Sequence, residues 1–236
     1  MDLTTLRLRV QRTVGIAAGT AGDEQTLVDS WLNESIVQFL LRTKAVKKTA
    51  SLTLTAGQGD YTLDTSILAF EDIYIAPVSG GQSYMLQRVD SGDIRRMRLL
   101  ASAISAPPSV YDYEGNTLSI YPSPASSSDT LHMIYVPKPS ALMSSGSHSP
   151  SDATRGEIPE EFHPVLESYA KFKAAQYSND APSQNGQMFK QEWEQGVVES
   201  KMILARKAGM KVSRANIGGS RNAAWRYAPP GVDRGY

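Results

Sequence analysis

The sequence predicts an α+β fold in which an antiparallel β-sandwich or barrel-like module is inserted into a helical bundle. Three observations predict it. The apolar period is three to four residues before position 48, two residues through the middle of the chain, and three to four again after position 158. Neither helical end can bury its apolar stripe alone, so the N-terminal and C-terminal segments have to pack on each other around the insert. Prolines at Pro77, Pro122, Pro124, Pro137 and Pro139 fall at the ends of the alternating runs, where a missing N–H costs a sheet little. The resulting division is a helical first part at 1–48, a β domain at 49–142, a flexible linker at 143–157, a helical second part at 158–209 and an extended tail at 210–236.

Each element follows from its local pattern. Leu3, Leu6, Val10 and Val14 make one short amphipathic helix among Arg7, Arg9, Gln11 and Arg12. Gly15, Gly19 and Gly22 then break it and read as a connector. Asp23 and Glu24 place acid at the next helix start, and Leu27, Trp31, Ile36, Phe39 and Leu40 carry its stripe toward the basic Lys44, Lys47 and Lys48. Strands are expected at 51–55, 61–63, 70–76, 83–89, 110–113, 117–121 and 130–136, with Gly115-Asn116 as a tight hairpin turn. Asp90 caps one interrupting helix whose inner face is Ile94, Met97 and Leu100.

The run Ser144-Ser145-Gly146-Ser147-His148-Ser149 offers nothing to a core and reads as flexible. Pro159, Glu160 and Glu161 open the next helix. Its stripe is Phe162, Val165, Leu166, Tyr169, Phe172 and Tyr177, and residues 178–186 break it. A last helix turns Phe189, Trp193, Val197 and Leu204 inward, with Lys190, Glu192, Glu194 and Lys201 outward.

Beyond Gly209 the periodic stripe ends. Lys211, Arg214, Arg221, Arg226 and Arg234 face only Asp233, a net charge of about +4 from five against one. Trp225, Tyr227 and Tyr236 lie among them. Trp, Tyr and Arg are the residue types that anchor interfaces, and the prolines lower the cost of ordering. Arg214, Arg221, Trp225, Arg226, Tyr227 and Tyr236 are therefore the expected partner contacts. A disordered terminus and a nucleic-acid contact are the competing readings of the same tail.

Composition excludes several classes. Lys plus Arg and Asp plus Glu are each 24, so there is no global pull toward nucleic acid or an acidic membrane. Zero Cys removes disulfides, thiolate metal sites and Cys nucleophiles. No apolar run approaches the roughly 20 residues of a membrane helix, and the N-terminus lacks a signal-peptide core. GxSxG, HExxH and the phosphate-loop pattern are all missing. The three histidines, His132, His148 and His163, share no ligand spacing, and the acids at Glu157, Glu160 and Glu161 are explained by a helix start. Neither catalysis nor a cofactor is expected, and no membrane partner.

The chain carries the short signatures Trp31-Leu32-Asn33-Glu34, Ala56-Gly57-Gln58 with Tyr61, Gly115 with Leu118, Tyr121-Pro122 and Pro124, and Tyr135-Val136-Pro137. Ile158-Pro159-Glu160-Glu161-Phe162-His163, continuing to Tyr169-Ala170, completes the set. Together they resemble those of tailed-bacteriophage head-to-tail adaptors of the tail tubular protein A type. The resemblance spans about residues 1–209. It implies a virion protein, made in the host cytoplasm, forming a ring of usually twelve copies at the head–tail interface. Its implied partners are the portal protein, neighbouring copies, a downstream tail protein (nozzle or tail completion protein) and passing double-stranded DNA read without sequence specificity. On that reading Arg7, Arg9, Arg12, Arg42, Lys44, Lys47 and Lys48 are candidates for a DNA-facing lumen. The alternative is a stand-alone β-sandwich module that binds nucleic acid or carbohydrate.

Overall fold

A computed structural model describes residues 1–15, 23–63, 67–100, 104–177 and 184–209. The tail positions Arg214, Arg221, Trp225, Arg226, Tyr227 and Tyr236 lie outside the described residues, as do Gly19 and Gly22 of the connector. In chain order the elements are α1 (Leu3–Val14), α2 (Asp23–Thr43), β1 (Lys48–Thr53), β2 (Asp60–Thr62), β3 (Ile67–Ala76), β4 (Tyr84–Met85) and β5 (Gln87–Arg88). They continue with α3 (Ser91–Leu100), β6 (Val110–Glu114), β7 (Thr117–Tyr121), β8 (Thr130–Pro137), α4 (His163–Tyr177) and α5 (Gln184–Lys207). Two compact units result. One joins Met1–Ala45 to the chain from Ala141 onward, and the other is Val46–Ser140. No described helix is long and apolar enough to cross a membrane.

The helical unit is built from both chain ends because each supplies one half of a shared core. Asp2 caps α1, its Oδ1 accepting from Thr5 N at 2.8 Å, and Gly15 closes it in the left-handed conformation at φ 77. Leu3, Leu6 and Val10 are wholly buried. On α2 the buried stripe is Val28, Leu32, Ile36, Phe39 and Leu40, while Leu27 and Trp31 stand at its margin. Phe39 meets Phe162 at 5.6 Å between ring centroids, which ties the early helix to the late one. The late helix starts with a 3₁₀ turn at Glu160–Phe162 behind Pro159, and α4 buries Leu166, Tyr169, Ala170 and Ala174. Phe189, Trp193 and Val197 of α5 are buried as expected. Leu204 is only half-buried, because Ser200 and Ala205 take the inner positions there.

The serine-rich stretch differs from the flexible linker that its composition predicts. His148 O accepts from Leu3 N at 2.7 Å and Gly146 O from Thr4 N at 3.2 Å, so the loop satisfies two amides that the start of α1 would leave open. Ser144 N and Ser145 N donate to His148 Nδ1, both at 3.1 Å, and Ser149 N donates to Asp152 at 3.0 Å. Small polar side chains bond local backbone readily, which a count of apolar residues does not register.

The β unit is a sandwich of two four-stranded sheets, ordered β1-β8-β3-β4 and β2-β7-β6-β5. The pairings between these strands are antiparallel except β5 with β6, which is parallel. Tyr61, Ile73, Ile75, Leu118, Ile120 and Leu131 fill the space between the inner faces. The single strand expected at 83–89 is two short strands in different sheets. The chain crosses over at buried Leu86, so β4 pairs with β3 and β5 with β6. Asp90 does cap α3, accepting from Gly92 N at 2.8 Å, and Ile94 is buried. Leu100 is not on the inner face as the spacing predicted: it is 81% exposed, because α3 instead turns Arg98 down toward β2.

Candidate functional site

The outward face of the second sheet carries a polar grid that follows from strand periodicity. In β6, Tyr111 and Tyr113 face the core, so Asp112 and Glu114 must face out. Register then places Asp60, Ser119 and Asp112 in one cross-strand row and Thr62, Thr117 and Glu114 in the next. Helix α3 crosses this face, and a cleft of about 320 Å³ lies beneath it, lined by Asp60, Ser91, Ile94, Arg95, Arg98, Asp112, Glu114, Thr117 and Ser119.

One end of the cleft is locked. Arg98 grips Asp60 with two parallel bonds, NH1 to Oδ2 at 2.9 Å and NH2 to Oδ1 at 2.8 Å, while Ser119 Oγ donates to Oδ1 at 2.6 Å. The same guanidinium donates to Gly59 O at 3.0 Å. The Arg98 hydrogen bonds, helped by Ser119, hold the Asp60 carboxyl below the usual carboxylate range. The other end is loose: Glu114 meets Arg95 at 3.4 Å and Asp112 meets Arg88 Nε at 3.7 Å. Asp112 has only 10% of its side chain exposed, whereas Arg88 is 67% exposed.

In the helical unit the predicted basic residues mostly serve the fold. Arg7 forks onto Asp29 with Nε and NH2 at 2.8 and 2.6 Å, largely out of solvent. Arg9 reaches Glu167 at 3.5 Å, Arg42 lies 4.2 Å over the Trp193 ring, and Lys44 ends α2 at φ 52. Arg12 is exposed near the end of α1. Lys47 and Lys48 belong to the β unit, where Lys47 pairs with Glu71 at 3.3 Å and Lys48 sits opposite Tyr135. These seven positions are thus divided between the two units.

Three groups that lie in the short signatures but belong to no catalytic motif carry local structure. Asn33 accepts from Met143 N at 2.8 Å and donates to Met143 O at 3.1 Å and Asp29 O at 2.8 Å, which pins the loop to α2. Glu34 accepts from the Tyr169 hydroxyl at 2.5 Å and from Lys173 at 3.0 Å. Burial, reinforced by that carboxylate, pushes the Tyr169 hydroxyl far up. His163 is wholly buried, with Nε2 at 3.1 Å from Ser151 Oγ and 3.2 Å from Ile158 O, and Nδ1 at 3.0 Å from the Met1 amine. Desolvation, with the nearby amine, lowers its pKa. Among the described residues no group of three or more His, Asp or Glu is placed to hold a metal ion.

A family model described as SU10 adaptor protein matches residues 1–217, which takes in both units. The chain belongs to the SU10 adaptor protein family. Its role is accordingly that of a structural head–tail connector, a bacteriophage virion component at the head–tail junction. The family is a structural adaptor, not an enzyme family. Among solved structures, one described as "Neck of empty GTA particle computed with C6 symmetry" is 11% identical over 78% of this adaptor and 83% of that chain, with a TM-score of 0.25. That superposition is too loose to bear on this adaptor. None of the curated proteins matches it.

Proposed function

We propose that the adaptor acts as one copy of a closed homo-oligomeric ring, twelve in number, that joins the portal protein to a downstream tail protein and continues the DNA channel. The family match across residues 1–217 carries this reading. A closed ring needs two different complementary faces on each chain, and the adaptor offers two units of unlike chemistry, one helical and one a β-sandwich. Its balanced formal charge, 24 against 24, lets copies stand side by side without summed repulsion. The basic-aromatic tail, with Arg214, Arg221, Trp225, Arg226, Tyr227 and Tyr236, is assigned to protein contact. Any DNA-facing role falls first to exposed Arg12, since Arg7 is committed to Asp29 and Arg42 to Trp193.

Mass photometry of the adaptor mixed with the portal ring from the same genome tests the proposal. The portal peak is expected to gain the mass of a whole adaptor ring. An unshifted peak at both low and moderate salt overturns the ring reading and moves the weight to a stand-alone binding module. Contact with DNA in the lumen would weaken linearly in log salt, and a salt-independent or absent interaction removes the channel assignment.

A further inference from the structure

We infer that Arg42 and Trp193, both in the helical unit, form a receptor for one carboxylate side chain of a protein partner, with one oxygen on the guanidinium edge and the other on the indole N–H. This goes beyond the ring reading and stands independently of it. The observation that points to a ligand is Trp193. The residue is only 3% exposed, and its Nε1 is buried without a hydrogen-bond acceptor among the described residues. An indole N–H that leaves water normally finds an acceptor in the fold, because a desolvated donor left unpaired is costly.

Arg42 supplies the second donor and a separate observation. It stands exposed in the last turn of α2, with its guanidinium 4.2 Å over the Trp193 ring. That stack uses a face of the guanidinium, whereas the N–H groups lie in its plane and point outward at the edge. Among the described residues no oxygen accepts from them. Stacking holds the planar group in place before anything binds, so little side-chain freedom is lost on pairing. Of the groups against the indole, Tyr169 is buried and Arg42 is exposed, so the ring is approached from the Arg42 side. The flexible stem of Arg42 is what yields when an oxygen enters.

The chemistry narrows the class of ligand. Two donors, one of them charged, call for an anion with two oxygens, and a carboxylate matches a guanidinium edge in shape as well as charge. The nearby Glu34 carboxylate is already taken by the Tyr169 hydroxyl at 2.5 Å and Lys173 at 3.0 Å. Duplex DNA is a row of phosphates and is held by a row of cations. Here Lys173 is spent on Glu34, and Glu192 and Glu194 stand exposed on either side of Trp193 along α5. Those acids oppose a polyanion far more than a single carboxylate. Leu41, beside Arg42, is also 37% exposed. A Trp–Arg pair with an apolar neighbour is the kind of group that carries binding energy at protein interfaces.

The indole N–H is its own reporter. The full chain, labelled with nitrogen-15, carries three indoles, Trp31, Trp193 and Trp225, and the peak lost in Trp193→Phe assigns the one that matters. An end-blocked alanine–glutamate–alanine peptide is titrated in, with its glutamine counterpart and a short duplex DNA as comparisons. The Trp193 peak is expected to move downfield to saturation with the glutamate peptide and to stay in place with the glutamine one. Arg42→Gln should raise the half-saturation concentration at least about tenfold, and Arg42→Lys, which keeps the charge but loses the planar edge, about threefold. Arg206→Gln, near the end of α5, leaves it unchanged. An unmoved Trp31 peak reports that a variant is folded, and Arg42→Lys carries the comparison if Arg42→Gln is not. No saturable movement, the parent's response in the folded Arg42 variants, or a duplex that moves the peak at a lower phosphate concentration than the peptide's carboxylate concentration overturns the inference.

Discussion

Asn33 offers the sharpest test of how the helical unit holds its loop. Its side chain acts like a strand neighbour to Met143, accepting from the amide at 2.8 Å and donating to the carbonyl at 3.1 Å, with a further bond to Asp29 O at 2.8 Å. Asn33→Ala removes all three. At about 0.5–1.5 kcal/mol each, and with water able to reach this partly buried site, the expected loss is about 2–3 kcal/mol. For a chain of this size that is a fall in Tm of about 4–12 °C. Asn33→Asp separates the two halves of the contact, because it keeps the acceptor for Met143 N but sets a carboxylate against two carbonyls. It is expected to melt no higher than Asn33→Ala at neutral pH. Amide exchange at Met143 supplies the local readout, and its protection should drop in both variants. A melting temperature within about 1 °C of the parent, with Met143 exchange unchanged, would refute the pin.

Two other perturbations follow from named contacts. A Cβ at Gly196 would lie 2.9 Å from Val165 Cγ2 and 3.1 Å from Cγ1, and a β-branched side chain on a helix cannot swing away. Gly196→Ala therefore trades about 1 kcal/mol of helix propensity against about 1–3 kcal/mol of overpacking and is expected to destabilise by up to about 2 kcal/mol. In a Val165→Ala background the same change should turn stabilising, and denaturant titration of the cycle sinks the idea if it stabilises in both. For His163 the folded form is neutral and its pKa depressed, so below the ordinary histidine value of about 6.5 the unfolded chain takes up a proton that the folded chain refuses. Stability is then complete above that value and declines as pH falls through the acid side. His163→Gln should flatten the decline between about pH 6.5 and 5 in melts, and an unchanged slope would count against it.

Legibility in the sequence depended on whether the physics was local. The helix–strand–helix order was readable because periodicity needs no knowledge of partners, and the cap at Asp90 and the hairpin at Gly115-Asn116 are likewise local. The alternation Val-Tyr-Asp-Tyr-Glu in β6 already put Asp112 and Glu114 on one face. Their row with Ser119 and Asp60 was hidden, because register is set between strands distant in sequence. The crossing at Leu86 was hidden for the same reason. The basic residues of α1 and α2 read as one surface only until tertiary partners such as Asp29 and Trp193 were in place.

By itself, the sequence determined the α+β class and the two helical ends around a β insert, which rest on period, turn chemistry and composition, while the adaptor resemblance rests on short signatures such as Trp31-Leu32-Asn33-Glu34. Only the tertiary structure decided what the polar side chains do. Asn33 became a pin, the serine-rich loop a cover for the start of α1, and Asp112 the wall of a cleft. The reason is that a hydrogen bond or ion pair depends on where two distant backbones meet, and burial sets its strength. Neither quantity exists until the chain has folded.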